Sequence, residues 1–198
     1  MLFRSIGHTR TSIYLSNLLL VFSASLMIMA AWLVGALSGI PALGLWAMDI
    51  SSLLLYLLVS MMFTAAFCAI FTLASMVSAN KAATVVASLL IFAGMLISAS
   101  IMYEQLAEPE LIRADRETVV VFDNTLNPDE PLPPNPRYLS GTKREAIMVV
   151  FTVLPTGQSL QISMLQASDY MLMLLSSVSV TVLVSSAGIA LFRKKDLK

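Results

Sequence analysis

The stretch SSLLLYLLVSMMFTAAFCAIFTLASMV, residues 51–77, contains no charged side chain and indicates whether the fold is surrounded by water or by lipid. A helix rises about 1.5 Å per residue, so this stretch is long enough to cover the ~30 Å hydrocarbon core of a bilayer. Three other stretches are also long and uncharged: Ile13–Leu37, Thr84–Met102 and Tyr170–Phe192. We therefore predict an all-α integral membrane protein with about four transmembrane helices.

The composition of the chain supports a membrane protein. Hydrophobic residues make up 58% of the 198 residues, against about 45–50% in soluble proteins. Alternatively, these stretches are buried core helices of a soluble protein. Four uncharged stretches in so short a chain make this alternative improbable. The first stretch is too long for the apolar part of a cleaved signal peptide, so we expect it to stay in the protein as a span.

Charge and cysteine content narrow the function classes. Twelve basic residues balance twelve acidic ones, which gives no indication of a nucleic-acid partner. With one cysteine, Cys68, and one histidine, His8, a disulfide framework or a multi-ligand Cys/His metal site is excluded. We predict no catalytic residue, no metal site and no cofactor. Cys68 lies in the middle of a predicted span and is interpreted as a small packing residue.

The distribution of basic residues predicts the orientation in the membrane. The amino-terminal segment 1–12, the gap around Lys81 and the tail 193–198 hold seven of the twelve basic residues. With four spans, these three parts lie on one side, and the positive-inside rule assigns that side to the cytoplasm. We predict a multi-pass protein of the cell membrane with both termini cytoplasmic, and spans one to three within 13–102.

The gap 103–145 is then extracellular, and its nine acidic and five basic residues are consistent with that location. Residues Asn127–Pro136 are rich in proline, which favours an extended polyproline conformation. Before them, Glu117–Phe122 contains a β-branched run and predicts a short strand. After them, Lys143–Val153 reads as a helix, with Ser140 or Thr142 as its expected N-cap.

Segment 146–169 precedes the fourth span, 170–192, and is predicted to be re-entrant or interfacial. Its first nine residues, 146–154, are apolar but too short to cross a bilayer, and Pro155 and Gly157 follow as a stop. Gln158 and Gln161 then begin a polar stretch, which we expect to be accessible to water. We assign Pro155, Gly157, Gln158 and Gln161 to an exit element on the outer face. An ordinary amphipathic linker is the alternative.

Three motifs carry a resemblance that covers essentially the whole chain. These are GHTRTSIYLS at 7–16, NPRYLSG at 135–141 with LPTGQ at 154–158, and LFRKKDLK at 191–198. In this order, they resemble the signatures of type-2 ABC transporter permeases of Gram-positive bacteria. Such permeases usually have six spans, so the chain resembles their carboxyl-terminal four-span part. The first two spans are then supplied by another chain, or the start codon is misassigned, or the chain is a remnant.

The resemblance implies a partner that hydrolyses ATP. The chain contains no phosphate-loop motif, so a separate ABC ATPase subunit is expected on the cytoplasmic side, with a homodimer or heterodimer of permease chains. Arg4, Gly7, His8 and Arg10 are the candidate coupling residues. Alternatively, the same segment rests on the headgroups of anionic membrane lipids.

The expected cargo is apolar or amphipathic, for example an antimicrobial peptide or a lipid-like molecule, because the spans lack the charged residues of an ion relay. Two other functions stay open. The chain is alternatively a small immunity or accessory protein that acts without transport. It is alternatively an intramembrane enzyme. Against this, no general base accompanies the hydroxyl side chains of the spans.

Overall fold

A computed structural model of the chain describes residues 9–43, 50–78, 80–111, 134–164, 166–167 and 169–194. Within these ranges the chain forms six helices: α1 (Arg10–Leu43), α2 (Ile50–Val77), α3 (Lys81–Ala107), α4 (Thr142–Val153), α5 (Pro155–Ser163) and α6 (Tyr170–Lys194). In the described part of the chain, the pairing of extended residues is limited to an isolated antiparallel bridge between Leu111 and Pro134.

Four of the helices, α1, α2, α3 and α6, are long and apolar enough to cross a membrane. This confirms the predicted all-α membrane fold with four spanning helices and a short helical element before the last of them. Two helices begin before their predicted apolar stretches because polar residues cap them. Thr9 Oγ1 accepts the backbone N–H of Ser12 at 3.2 Å in α1, and Asn80 Oδ1 accepts that of Ala83 at 2.7 Å in α3.

Contacts between aromatic and small residues define how the helices run. Gly188, near the end of α6, packs against the ring of Tyr14, near the start of α1, so these helices are antiparallel. Tyr56 of α2 and Tyr170 of α6 meet edge to face, with ring centroids 5.6 Å apart, near the beginning of both helices. Helices α2 and α6 are therefore parallel.

Helix α3 returns alongside α2, with the rings of Phe67 and Phe92 6.3 Å apart. The start of α1, the start of α3 and the end of α6 consequently share one end of the bundle. We call this the basic end, because it carries Arg10, Lys81 and Arg193. Helices α4 and α5 lie at the opposite end, which we call the outer end in keeping with the predicted orientation.

Several of the buried residues inside the bundle are small. Val59, Ala66 and Ala69 of α2 are fully buried at the spacing that places them on one face of a helix. Cys68 is buried and its Sγ lies 3.5 Å from Oγ of Ser25 in α1, as expected for a packing residue. Many large apolar side chains of α1 and most of those of α3 are exposed, as expected for helices surrounded by lipid.

The helix predicted over Lys143–Val153 is present as α4, and it ends where the proline was expected to end it. Its predicted N-cap is wrong: Thr142 is the first helical residue, and Gly141 occupies the cap position without a side-chain hydrogen bond. Gly141 has φ of +62° and ψ of −145°, a conformation that residues with a Cβ rarely adopt. The chain therefore starts α4 with a glycine turn instead of a hydroxyl cap.

The strand predicted at Glu117–Phe122 and the proline-rich stretch up to residue 133 lie outside the described residues. The two ends of that region are described and held together. The backbone N–H of Asn135 donates to the Glu110 carbonyl at 2.9 Å, and its side-chain amide donates to the Glu108 carboxylate at 3.0 Å. Asn135 of the NPRYLSG motif thus joins the segment after α3 to the segment before α4.

Candidate functional site

The candidate site is the bent helix pair, by which we mean α4 and α5 together. The axes of the two helices differ in direction by 91° across a break at Leu154. Helix α4 runs antiparallel to α3, because Arg144 Nη2 donates to the Leu106 carbonyl at 2.8 Å and Thr156 Oγ1 donates to the Met95 carbonyl at 2.9 Å. Met95 lies twelve residues before the end of α3, or about 18 Å along the helix axis. The bend therefore reaches deep into the bundle.

Two residues produce the bend. Pro155 is the first residue of α5, where its missing N–H and fixed φ suit the start of a helix. Gly157 lies directly against the last turn of α4. A Cβ on Gly157 would overlap the carbonyl oxygen of Phe151 and lie 2.9 Å from both its carbonyl carbon and its ring. Only a residue without a side chain lets the two helices approach this closely.

Gln158 is the centre of a buried polar network that joins α4, α5 and α6. Its Nε2 lies 2.9 Å from the Thr152 carbonyl, 2.9 Å from Ser176 Oγ and 3.2 Å from the Met173 carbonyl. Its Oε1 accepts the hydroxyl of Ser177 at 2.7 Å. Because an unpaired amide is costly away from water, this network fixes the position of α5 against the fourth span.

The expectation that Gln158 and Gln161 are accessible to water is wrong for the folded chain. Gln158 is 0% exposed and Gln161 is 7% exposed. Gln161 Nε2 lies 3.4 Å from Thr152 Oγ1, at the edge of the same network. The two side chains fold inward because the bend directs this face of α5 toward α4 and α6. Sequence periodicity alone gave no sign of the direction of α5.

A cavity of about 360 Å³ lies at the outer end, between the last turns of α3 and the bent helix pair. Its apolar wall includes Tyr103, Leu106, Met148 and Phe151. Its polar wall comprises Arg144, Thr152, Gln161 and Gln166. We call this cavity the outer pocket. Its volume falls in the range of sites that hold small ligands, about 300–1,000 Å³, and its mixed lining suits an amphipathic molecule.

Arg144 is the charged residue of the outer pocket, and two contacts hold its guanidinium. Nη2 donates to the carbonyl of Leu106, and the guanidinium carbon lies 4.9 Å from the centre of the Tyr138 ring, within the distance of a cation–π interaction. Nη1 is buried and has no hydrogen-bond partner within the described part of the chain. Arg144 is not among the site residues predicted from the sequence. A basic residue at the beginning of a helix, where the macrodipole disfavours a cation, was the available signal.

Of the candidate coupling residues, the structure describes Arg10, while Arg4, Gly7 and His8 lie outside the described residues. Nη1 of Arg10 donates to the carbonyl of Arg193 at 2.7 Å and lies 3.4 Å from that of Phe192. Arg10 thus binds the carboxyl-terminal end of α6, where a cation interacts favourably with the free carbonyls. Its motif neighbour Thr9 caps α1, so two residues of GHTR organise the basic end of the bundle.

Asp169, at the edge of the fourth span, caps α6 through a hydrogen bond from the Leu172 N–H to Oδ1 of 2.9 Å. Among the described residues, no three His, Cys, Asp or Glu side chains lie close enough together to hold a metal ion.

Comparisons with protein-family models, curated proteins and solved structures found no match for this chain. What the sequence and the fold show together is a multi-pass membrane protein with four spanning helices and a bent helix pair. The likeness to ABC permeases stays a prediction from three sequence motifs.

Proposed function

We propose that this chain is the transmembrane permease subunit of an ATP-driven ABC exporter that moves an apolar or amphipathic substrate. The observation that carries the proposal is the bent helix pair. It supports a buried polar network and an amphipathic pocket at the outer end of a bundle whose spans are otherwise apolar. Of the motifs that resemble those of type-2 ABC permeases, LPTGQ lies at the bend and NPRYLSG directly precedes α4, while the other two include the start of α1 and the end of α6.

In this proposal, a separate ATPase subunit docks at the basic end. Arg10 connects the start of α1 with the end of α6, so a force applied to the amino-terminal segment reaches the first and last spans together. Helix α6 carries Ser176 and Ser177, which hold Gln158 of α5. A shift of α6 would therefore move the bent helix pair and change the shape of the outer pocket.

The same proposal includes a second permease chain, identical or different. The described spans pack directly against one another, so in this proposal the cargo passes between the two permease chains. The outward apolar faces of α1 and α3, which include Leu19, Trp32 and Leu90, are available for contact with lipid or with another chain.

The test is to reconstitute the chain with its ATPase. The chain is purified from native membranes in mild detergent, and a bound subunit with a phosphate loop is identified. Both chains are then placed in proteoliposomes. We expect the two chains to form a stable complex and the ATPase to hydrolyse ATP faster with the permease chain than alone. We expect no hydrolysis when the phosphate-loop lysine of the ATPase is replaced by alanine.

The alternative function gives a different result. An immunity or accessory protein would protect cells from an amphipathic peptide even when the ATPase gene is deleted, and the purified chain would carry no ATPase. Protection without an ATPase would contradict the proposed exporter.

A further inference from the structure

The outer pocket contains a cation whose hydrogen bonds are incomplete. Arg144 Nη2 is bound to the Leu106 carbonyl, and Tyr138 packs against the guanidinium plane. These two contacts fix the orientation of the group. Nη1 is nevertheless buried and unpartnered among the described residues. A charged donor left without a partner away from water is unfavourable. Nη1 has less than 1 Å² of accessible surface, so an acceptor that entered the pocket with a small shift of the neighbouring side chains would relieve this cost.

Guanidinium groups bind phosphate and carboxylate oxygens through short, charge-assisted hydrogen bonds. Arg144 is the one charged side chain among the described residues that line the outer pocket, and uncharged polar groups lie beside it, including Gln161 and Gln166. Glu104 and Glu145 belong to the same helices but are exposed and do not line the pocket. An anion entering the pocket therefore meets a cation and neutral polar side chains.

The position of the pocket favours a membrane lipid as the source of the anion. Arg144 lies level with Leu106, next to the last residue of α3, where the end of a span meets the headgroup region. Below it, the pocket wall is apolar at Tyr103 and Phe151. We propose that the outer pocket binds the phosphate headgroup of an anionic membrane lipid through Arg144, with an acyl chain along the apolar wall.

This lipid site is independent of the proposed transport activity. Its test is native mass spectrometry of the full chain in detergent, titrated with dioleoylphosphatidylglycerol or dioleoylphosphatidylcholine. Both lipids carry a phosphodiester, but phosphatidylcholine adds a choline cation that Arg144 repels. We therefore expect the first phosphatidylglycerol to bind at least about ten-fold more tightly than phosphatidylcholine. Equal affinity for the two lipids in the unmodified chain would overturn the proposal without the need for any variant.

Two variants and a matched control locate the site. Arg144→Gln should lose the preference for phosphatidylglycerol, and Arg144→Lys should retain part of it because the charge remains. Arg137→Gln removes an exposed arginine from the same outer segment and should leave the preference unchanged. A preference that survives in Arg144→Gln, or disappears in Arg137→Gln, would place lipid binding elsewhere and contradict the assignment.

Competition distinguishes the lipid from other anions. Millimolar inorganic phosphate should not displace phosphatidylglycerol, because it lacks the contact with Tyr103 and Phe151. Displacement by inorganic phosphate would define a free-phosphate site instead. Displacement by an amphipathic peptide with a free carboxyl terminus, but not by the same peptide as an amide, would show a peptide site and overturn the lipid assignment.

Discussion

At the residue scale, two glycines define where the helices touch. Gly157 lies against the Phe151 carbonyl, and Gly188 lies against the Tyr14 ring. By contrast, an added Cβ at Gly35 or Gly94 would meet nothing within 4 Å. The sequence singles out Gly157 because it follows Pro155, but it does not distinguish Gly188 from Gly35 and Gly94. The glycines differ in whether another helix packs against them, and this is determined by tertiary packing.

Gly157→Ala should destabilise the protein because the new methyl group overlaps the backbone of α4. We expect a loss of about 1–3 kcal/mol, the usual cost of overpacking, measured by thermal unfolding in detergent. Gly94→Ala is the matched control. It fills open space in a helix and should raise stability by about 0.5–1 kcal/mol. Equal effects of the two substitutions would show that α5 does not pack against α4 in this way.

Gln158→Leu tests the buried network. The substitution leaves the hydroxyls of Ser176 and Ser177 without their glutamine partner. Hydrogen bonds between helices in membranes contribute about 0.6–2 kcal/mol, so we expect a loss of this order in unfolding free energy. The control is Gln105→Leu, which changes an exposed glutamine of α3 and should have little effect. Similar losses for the two variants would contradict the network.

At the element scale, the spans could be predicted from the sequence and the path of the bent helix pair could not. A long uncharged stretch has one stable structure in lipid, a helix that satisfies its own backbone hydrogen bonds. The four spans were therefore found within a few residues of their ends. The element before α6 was recognised from its length and its proline, but the burial of Gln158 depends on partners supplied by α4 and α6. No local pattern encodes those partners.

Helices α1 and α6 should be energetically coupled through Tyr14 and Gly188. Gly188→Ala places a methyl group within 2.7 Å of Tyr14 Cε2 and should destabilise the fold by about 1–3 kcal/mol. In the Tyr14→Ala background the ring is absent, so the added methyl group should cost much less. A double-mutant cycle measured by thermal unfolding would show this coupling. Additive effects of the two substitutions would mean that the residues do not touch.

Arg10 connects the same two helices at the basic end. Arg10→Gln removes the cation from the end of α6 and should lower stability by about 0.3–1 kcal/mol, measured by the same unfolding assay. Lys81→Gln, an exposed cation at the start of α3, should cause no such loss. If Arg10→Gln releases the proposed ATPase subunit without changing the unfolding temperature, the main role of Arg10 is coupling. Loss of stability with the ATPase retained would assign Arg10 to the helix end alone.

At the scale of the whole molecule, we infer that four helices span the membrane and that the bent helix pair does not. The distinction determines the sidedness of every loop. If α4 and α5 together crossed the bilayer, the segments on either side of them would face opposite compartments. If the pair enters and leaves at the outer end, those segments face the same compartment, opposite to the start of α3.

Cysteine labelling in sealed vesicles tests this most directly. Cys68 is replaced by alanine, and single cysteines are introduced at the exposed positions Arg137, Gln166 and Lys81. A membrane-impermeant maleimide should label Arg137→Cys and Gln166→Cys from the same side and Lys81→Cys only from the other. Labelling of Arg137→Cys and Gln166→Cys from opposite sides would show that the pair crosses the membrane, and would contradict the four-span fold.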